Sequence, residues 1–402
     1  MRIAAFGPAL LPLLAAWVLS CRAGASRRGR VMVAALDALA LLLTALLWNV
    51  GVAADLFSLF LGASVLGALT FAAVSPEQDI ESLCRLHLGA SLSIVAVSTG
   101  ELSWSVLAIL LFGLLLRQTT ERLVLLLAPS FAALAGLALV ARADTEGLGL
   151  ILVAAGLSGV WLASSRAVLR SSTPGLVTRM ASSFTLLAAV SSVDLRIAAW
   201  FPESAPLGTI EALALGALAL GALGALGATR ITTFLTALAL ARGGLVLFAQ
   251  LGGVQGRAPS LMALAASGVS LLLLAAALDK TGTVDDVSNL GSIPRRLVLT
   301  LGALSACTFP PFPGFVAVFP LSSALLGQGH GFSLLAAAAL LFLLALGAMR
   351  VVARAWDSEA TRKVETEVGL AALGLAVAAT LAFSIAPARL AEIARAAALG
   401  IL

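Results

Sequence analysis

Long apolar runs separated by short polar gaps fill the chain from end to end. Ile3–Ser20, Val31–Val52 and Gly331–Ala348 each approach the roughly 20 residues a helix needs to cross about 30 Å of hydrocarbon. By that criterion about fourteen spans are predicted, at 3–20, 31–53, 55–75, 82–99, 103–117, 121–141, 146–165, 175–193, 208–228, 231–252, 260–278, 294–327, 331–355 and 366–386. The segment 294–327 is too long for one straight helix and carries Pro310, Pro311 and Pro313 in its middle, so a broken or kinked element is expected there. The fold class these patterns predict is all-α, a polytopic integral membrane protein with a single transmembrane domain over 1–402.

Charge position tests the layout independently. Loops after odd-numbered spans hold 17 basic residues: Arg22, Arg27, Arg28, Arg30, Arg117, Arg122, Arg166, Arg170, Arg179, Arg230, Lys280, Arg295, Arg296, Arg350, Arg354, Arg362 and Lys363. The opposite side holds 6, namely Arg2, Arg142, Arg196, Arg257, Arg389 and Arg395. Basic residues concentrate on the cytoplasmic side of membrane proteins, so both termini are expected on the other side. The first span could be read as a signal peptide ending at Cys21. Four arginines follow it directly, however, which predicts an anchored first helix rather than an exported and cleaved one.

Composition agrees and removes other classes. Apolar residues make up 60% of the 402 positions, charged ones 11%, and mean hydropathy is +1.07. Loops are short, which leaves no room for an extramembrane catalytic domain; the longest connections are 279–293 and 356–365. Cys21, Cys84 and Cys307 lie far apart, the only histidines are His87 and His330, and no spacing suits a metal or a disulfide framework. The pI near 10.0 comes from scattered arginines, so membrane sidedness accounts for it and no nucleic-acid partner is expected. Gly216, Gly221, Gly224 and Gly227 in the ninth span predict close approach of a neighbouring backbone. From Pro387 onward, Arg389, Glu392 and Arg395 among alanines and leucines predict an amphipathic helix at the membrane surface, within 387–402.

The broken span carries the most specific pattern. Val284-Asp285-Asp286, then Leu290-Gly291, then Leu304-Ser305-Ala306-Cys307-Thr308-Phe309-Pro310-Pro311-Phe312-Pro313-Gly314-Phe315 resembles the antiporter-like membrane subunits of respiratory complex I. That family shares its fold with multisubunit cation/proton antiporters and membrane-bound hydrogenases, and the nearest likeness is to the subunit N type of NADH-quinone oxidoreductase. The opening Ala9-Leu10-Leu11-Pro12-Leu13-Leu14 is similar too. The resemblance implies inverted repeats within 82–193 and 208–355, a bacterial-type cytoplasmic membrane, and other membrane subunits and lipids as partners. It implies no cofactor in this chain; quinone, FMN and iron–sulfur clusters are expected in partner subunits, and no motif for a nucleotide, flavin or cluster occurs here.

The departures from the family pattern carry as much information. The family moves protons along ionisable groups halfway across the membrane, where charge needs polar partners and water. The fifth-helix position of that relay falls on Leu110, the sixth on Leu125, the seventh on Ser158, the eighth between Phe184 and Leu186, and the twelfth on Val318. The family's proline–histidine motif after the seventh helix is replaced by Ala163-Ser164-Ser165-Arg166. Only Arg242 keeps a charge, where the family usually has histidine. A relay needs groups that gain and lose protons near neutral pH; buried Lys and Glu can be tuned to do so, and arginine stays protonated. Conduction by the family's usual route is therefore not expected, and no catalytic residue is assigned.

The remaining charges define a candidate polar axis of Arg242, Asp37, Glu211 and Asp194. Arg242 could be a fixed charge coupling to a neighbour or a bound anion, or half of a structural ion pair with Asp37 or Glu211. Asp37 could be protonated, pair with an arginine or touch an adjacent subunit. Arg85 and His87 are expected to reach toward the interface, and Asp194 and Arg196 to pair at the end of the eighth span. Trp48, Trp104, Trp200 and Trp356 are expected to form an interfacial belt. Three functions follow: a mainly structural membrane-arm subunit of a complex I-like assembly, a translocating subunit with a rerouted axis, or a stand-alone secondary transporter.

Overall fold

A computed structural model describes residues 7–20, 27–49, 56–74, 80–99, 101–116, 121–142, 144–169, 175–200, 207–278, 293–310, 312–357 and 387–399, with single positions between 374 and 385. Among these residues there are helices and no strands. The helices are α1 (Gly7–Ser20), α2 (Arg27–Asn49), α3 (Leu56–Val74), α4 (Ile80–Ser98), α5 (Leu102–Leu115), α6 (Glu121–Val140), α7 (Glu146–Leu169) and α8 (Leu176–Trp200). They continue with α9 (Leu207–Gly227), α10 (Ile231–Ala249), α11 (Gly253–Leu278), α12 (Ile293–Ala306), α13 (Pro313–Gly327), α14 (Gly331–Asp357) and α15 (Pro387–Leu399). Six helical stretches are long and apolar enough to cross a membrane, and several more are shorter but apolar. The chain is a polytopic all-α membrane protein. The predicted span at 366–386, Lys280 and Lys363 lie almost wholly outside the described residues.

The interrupted span is resolved into α12 and α13, and together they make one crossing. Arg295 near the start of α12 donates to the carbonyl of Ala277 at the end of α11 (3.5 Å), and Ser305 meets Ser270 (2.7 Å). At the far end, Gly252 faces Ala324 and Gly253 faces Gln328, so α13 ends beside the start of α11. The pair thus runs antiparallel along all of α11. A second constraint agrees: Glu211 on α9 meets Ser333 on α14, and Leu226 meets Arg350 fifteen and seventeen residues further along. Those two helices are parallel, which alternating crossings allow only if α12 and α13 count once.

The break itself is a helix end built from backbone bonds. Phe309 N–H donates to Leu304 O (3.1 Å) and Thr308 N–H to Ser305 O (3.3 Å), with Thr308 in the left-handed region at φ 58°. This is a Schellman end, with a threonine where glycine is usual and Pro310 just beyond to stop the helix. Pro313 then opens α13 at its first turn, where its missing N–H costs nothing. Gly314 lies so close to the Ser305 carbonyl that any Cβ would collide with it, and Thr308 Cα is only 3.2 Å from that Cβ position.

Elsewhere small residues let helices touch through their backbones. On α9, Gly221 packs on Ala237 and Ala241 of α10, whose Gly244 faces Ala214 and Leu218 in return. Gly224 also faces α10, while nothing lies within 4 Å of a Cβ at Gly216 or Gly227. An equally close contact, between Gly136 on α6 and Gly149 and Val153 on α7, was not foreseen from sequence. The predicted loop before 260 is instead helix: α10 turns directly into α11 through residues 250–252, with Gly253 at φ 58°. At the C-terminal end, α15 packs on α3 and α11 through Ala394, Ala397 and Ala398, with Arg389 and Glu392 outward.

Gly314→Ala should therefore lower the thermal stability of the detergent-solubilised protein by about 1–3 kcal/mol, the usual cost of overpacking. Gly216→Ala, with open space around it in the middle of α9, should instead raise stability by up to about 1 kcal/mol through helix propensity.

Candidate functional site

One helix organises the interior. All positions of α8 from Leu176 to Ile197 are buried, although it carries Ser182, Ser183, Thr185, Ser191, Ser192, Asp194 and Arg196. Hydroxyls bridge it and its neighbours: Ser165 on α7 meets Ser183 (2.6 Å), and Ser93 on α4 donates to Thr185 O (3.5 Å). Arg196 donates to the carbonyls of Ala96 (3.2 Å), Val97 and Thr99 (2.6 Å) at the end of α4. That corrects the expected Asp194–Arg196 pair. Residues two apart on a helix point to different sides, and the arginine caps α4 while both Asp194 carboxyl oxygens are buried without a partner.

Arg242 lies on α10 and is fully buried. Its Nε donates to Ser267 Oγ on α11 (3.0 Å), which passes the bond on to Ala263 O (2.5 Å). Its Nη1 donates to Ala306 O (3.3 Å), and its Nη2 has no partner. The break explains the choice of acceptor. Carbonyls 303, 304 and 305 are taken by the N–H groups of Cys307, Phe309 and Thr308, which leaves Ala306 as the open carbonyl of the last turn. A helix C-terminus carries about half a negative charge, so the end of α12 offsets part of the arginine's charge without a carboxylate. The expected ion pair with Asp37 or Glu211 is thus not formed.

Those two carboxylates have other partners. Asp37 Oδ2 on α2 lies 3.0 Å from His87 Nε2 on α4, both side chains fully buried. His87 is therefore an interior residue and does not reach to the interface as expected; Arg85 does, paired with Glu81. Glu211 accepts from Ser333 and faces His330 Nδ1 at 3.8 Å, half-buried at the start of α14. By direct contact the four candidate residues belong to four separate environments. The signal for His87 was present in the sequence: it shares a helix face with Leu83 and Ser91, and is the only ionisable residue deep in that span.

The positions where the resemblance places a relay are filled by other chemistry. Leu110 is buried on α5, Phe184 and Leu186 are buried on α8, and Ser158 and Val318 are half-buried on α7 and α13. Phe184 presses on Gly268 of α11. The side chain of Leu125 and residue Pro311 lie outside the described residues, and Pro310 is exposed at the break. Trp104 and Trp356 are exposed, the latter donating to Thr300 Oγ1 (3.0 Å). Among the described residues no group of His, Cys, Asp and Glu could hold a metal.

Fold and interior together define a many-helix membrane protein with an interrupted crossing held by a buried arginine. Solved structures place that architecture. The chain aligns over its full length, and 98% of the other's, with a chain from the membrane-bound sulfane sulfur reductase, an archaeal respiratory membrane complex, at TM-score 0.83 and 14% identity. A chain of the Mrp complex from Dietzia sp. DQ12-45-1b matches at TM-score 0.81 and 16% identity, covering 100% and 97%. One from respiratory complex I of Thermus thermophilus matches at 0.79 and 17%, covering 96% and 98%. The protein thus has the fold of the antiporter-like membrane subunits of such complexes. By sequence, no family model and no curated protein matches it.

Removing the acceptor of Arg242 Nε isolates its worth. Ser267→Ala should cost about 1–3 kcal/mol, because it leaves a buried charged donor unpaired. In an Arg242→Met background the same change should cost far less, and the difference, read by thermal unfolding of the four proteins, is the coupling.

Proposed function

We propose that this protein is a membrane-arm subunit of a complex I-like assembly, of the subunit N type, and that its contribution is mainly structural. The observation that carries the reading is the content of the relay positions. Leucine, serine, threonine and valine occupy five of them and Arg242 the sixth, and none of these gains and loses a proton near neutral pH. The chain's two lysines fall in the predicted loops. In this reading other subunits carry the ions, while redox cofactors (quinone, FMN and iron–sulfur clusters) lie in partner chains. The chain sits in a cytoplasmic membrane with both termini on the far side.

The expected inverted repeats remain part of this reading, and helix pairing supports them. In the first unit α4 packs on α5 and α8, and α6 on α7; in the second, α9 packs on α10 and α14, and α11 on α12. The outer face of α14, with Phe332, Leu335 and Phe342 exposed, is apolar as a lipid- or subunit-facing surface must be.

A second reading, translocation along a rerouted axis, is favoured by one observation. Asp194 is a buried carboxyl with no partner, and the hydroxyls of Thr185 and Ser191 on the same helix are also unpaired.

Extraction from the native membrane in mild detergent should bring down other antiporter-like subunits and iron–sulfur proteins. A single species running alone would overturn the assembly reading and favour a solute transporter. The purified chain in vesicles should show no proton flux above protein-free vesicles; flux abolished by Asp194→Asn would instead establish the rerouted axis.

A further inference from the structure

Asp37 is the eleventh of the 23 residues of α2, and His87 is the eighth of the 19 of α4, so both sit deep within their spans. The two helices meet through these side chains, with α1 and α3 packed on both. Neither side chain has any exposed surface. His87 Nδ1 is 2.8 Å from Leu83 O. A carbonyl oxygen can only accept, so Nδ1 carries a hydrogen and its tautomer is fixed. Nε2 then faces Asp37 Oδ2 at 3.0 Å, a hydrogen-bond distance. With no proton between them, a nitrogen lone pair would face a carboxylate oxygen. That contact is repulsive, and neither side chain has exposed surface through which bulk water could relieve it.

We propose that Asp37 and His87 form a proton-binding site inside the membrane, a carboxyl–imidazole dyad that holds one proton between Oδ2 and Nε2. Written as a neutral acid beside a neutral imidazole, or as carboxylate beside imidazolium, the dyad has the same proton count and no net charge. A net-neutral pair is what an apolar interior tolerates. The surroundings add little field. Among the described residues α1, α3 and α5 carry no acidic or basic side chain. The charged groups on the remaining packed element, α8, are Arg179, Asp194 and Arg196, and Arg196 is engaged at the far end of α4. On α4 itself Glu81 and Arg85 pair with each other and Cys84 Sγ donates to Ala16 O (3.5 Å); on α2 the other ionisable residues are Arg27, Arg28 and Arg30 at its start. Asp37 Oδ1 has no partner, which leaves one open acceptor where a water or a second proton can bind.

The site uses none of the positions of the family relay and is independent of the proposed structural role in an assembly. A chain whose relay positions hold leucine, serine, threonine, valine and a permanently charged arginine thus keeps one interior place for a proton.

The chain has two histidines, which makes the test direct. Nitrogen NMR of protein labelled at histidine, with His330→Gln to leave one ring, should show both His87 nitrogens hydrogen-bonded. In the wild type, where both rings are present, the ring N–H protons of His87 should exchange with heavy water at least about tenfold more slowly than those of the partly exposed His330. Asp37→Leu should move the Nε2 signal to that of an unbonded ring nitrogen and leave Nδ1 in place; Asp37→Asn, closer in shape, guards against misfolding and should also move it. An Nε2 signal identical in wild type and both variants, or a ring exchanging as fast as His330, would overturn the proposal.

Discussion

A cation buried in a membrane interior has to be answered by something, and here the answer is the end of a helix. Arg242 draws on the one carbonyl that the Schellman turn at Thr308 leaves open, and on a serine from the helix lying alongside. The interruption is therefore more than a kink forced by proline. It exposes a main-chain acceptor inside the apolar bundle, and it ties α10, α11 and α12 at a common depth. Around that junction the chain does without carboxylates: Ser270 and Ser305 bond to each other, and Gly314 lets α13 restart hard against the turn.

The same economy runs through the rest of the interior. Polar contacts between helices are mostly hydroxyl to hydroxyl or side chain to backbone carbonyl, as at Ser165–Ser183 and Arg196 on the end of α4. Such bonds hold position without titrating. They suit a scaffold, and they differ from the line of lysines and glutamates that the resemblance would require for conduction. Asp37–His87 stands apart because both its members ionise in water, and Asp194 because nothing answers it at all.

What could be read from the sequence was whatever depends on one helix at a time. Apolar runs gave the spans, Pro310 and Pro313 the interruption, and Gly221 a close contact, because each is a local consequence of residue type. Pairings across helices were mostly illegible. Unlike charges attract, which points Arg242 toward Asp37 or Glu211, yet its partners are neutral. A backbone carbonyl freed by a turn 64 residues away has no signature in composition. His87 was assigned to the interface because it stands near Arg85, two residues before it, but the two point to different sides of α4 and only one reaches solvent. The α6–α7 contact is less legible for a simpler reason: α7 carries Gly147, Gly149, Gly156 and Gly159, but its partner α6 carries Gly136 alone, and nothing in either helix names the other.

The enclosure of α8 has a bearing on how the protein is made. This helix is among the least hydrophobic of the spanning helices, at mean hydropathy 1.4, and its whole window is buried within the bundle. During synthesis it leaves the ribosome before α10 and α11, two of the helices that later enclose it, exist. Its carboxyl group and its two arginines would be poor guests in lipid. The helices already made, α3, α4, α5 and α7, must receive it at once, so the first half of the chain acts as a docking cradle for its own eighth helix. Failure at that step would strand a polar helix at the insertion machinery, which makes the order of the segments along the gene part of what the fold requires.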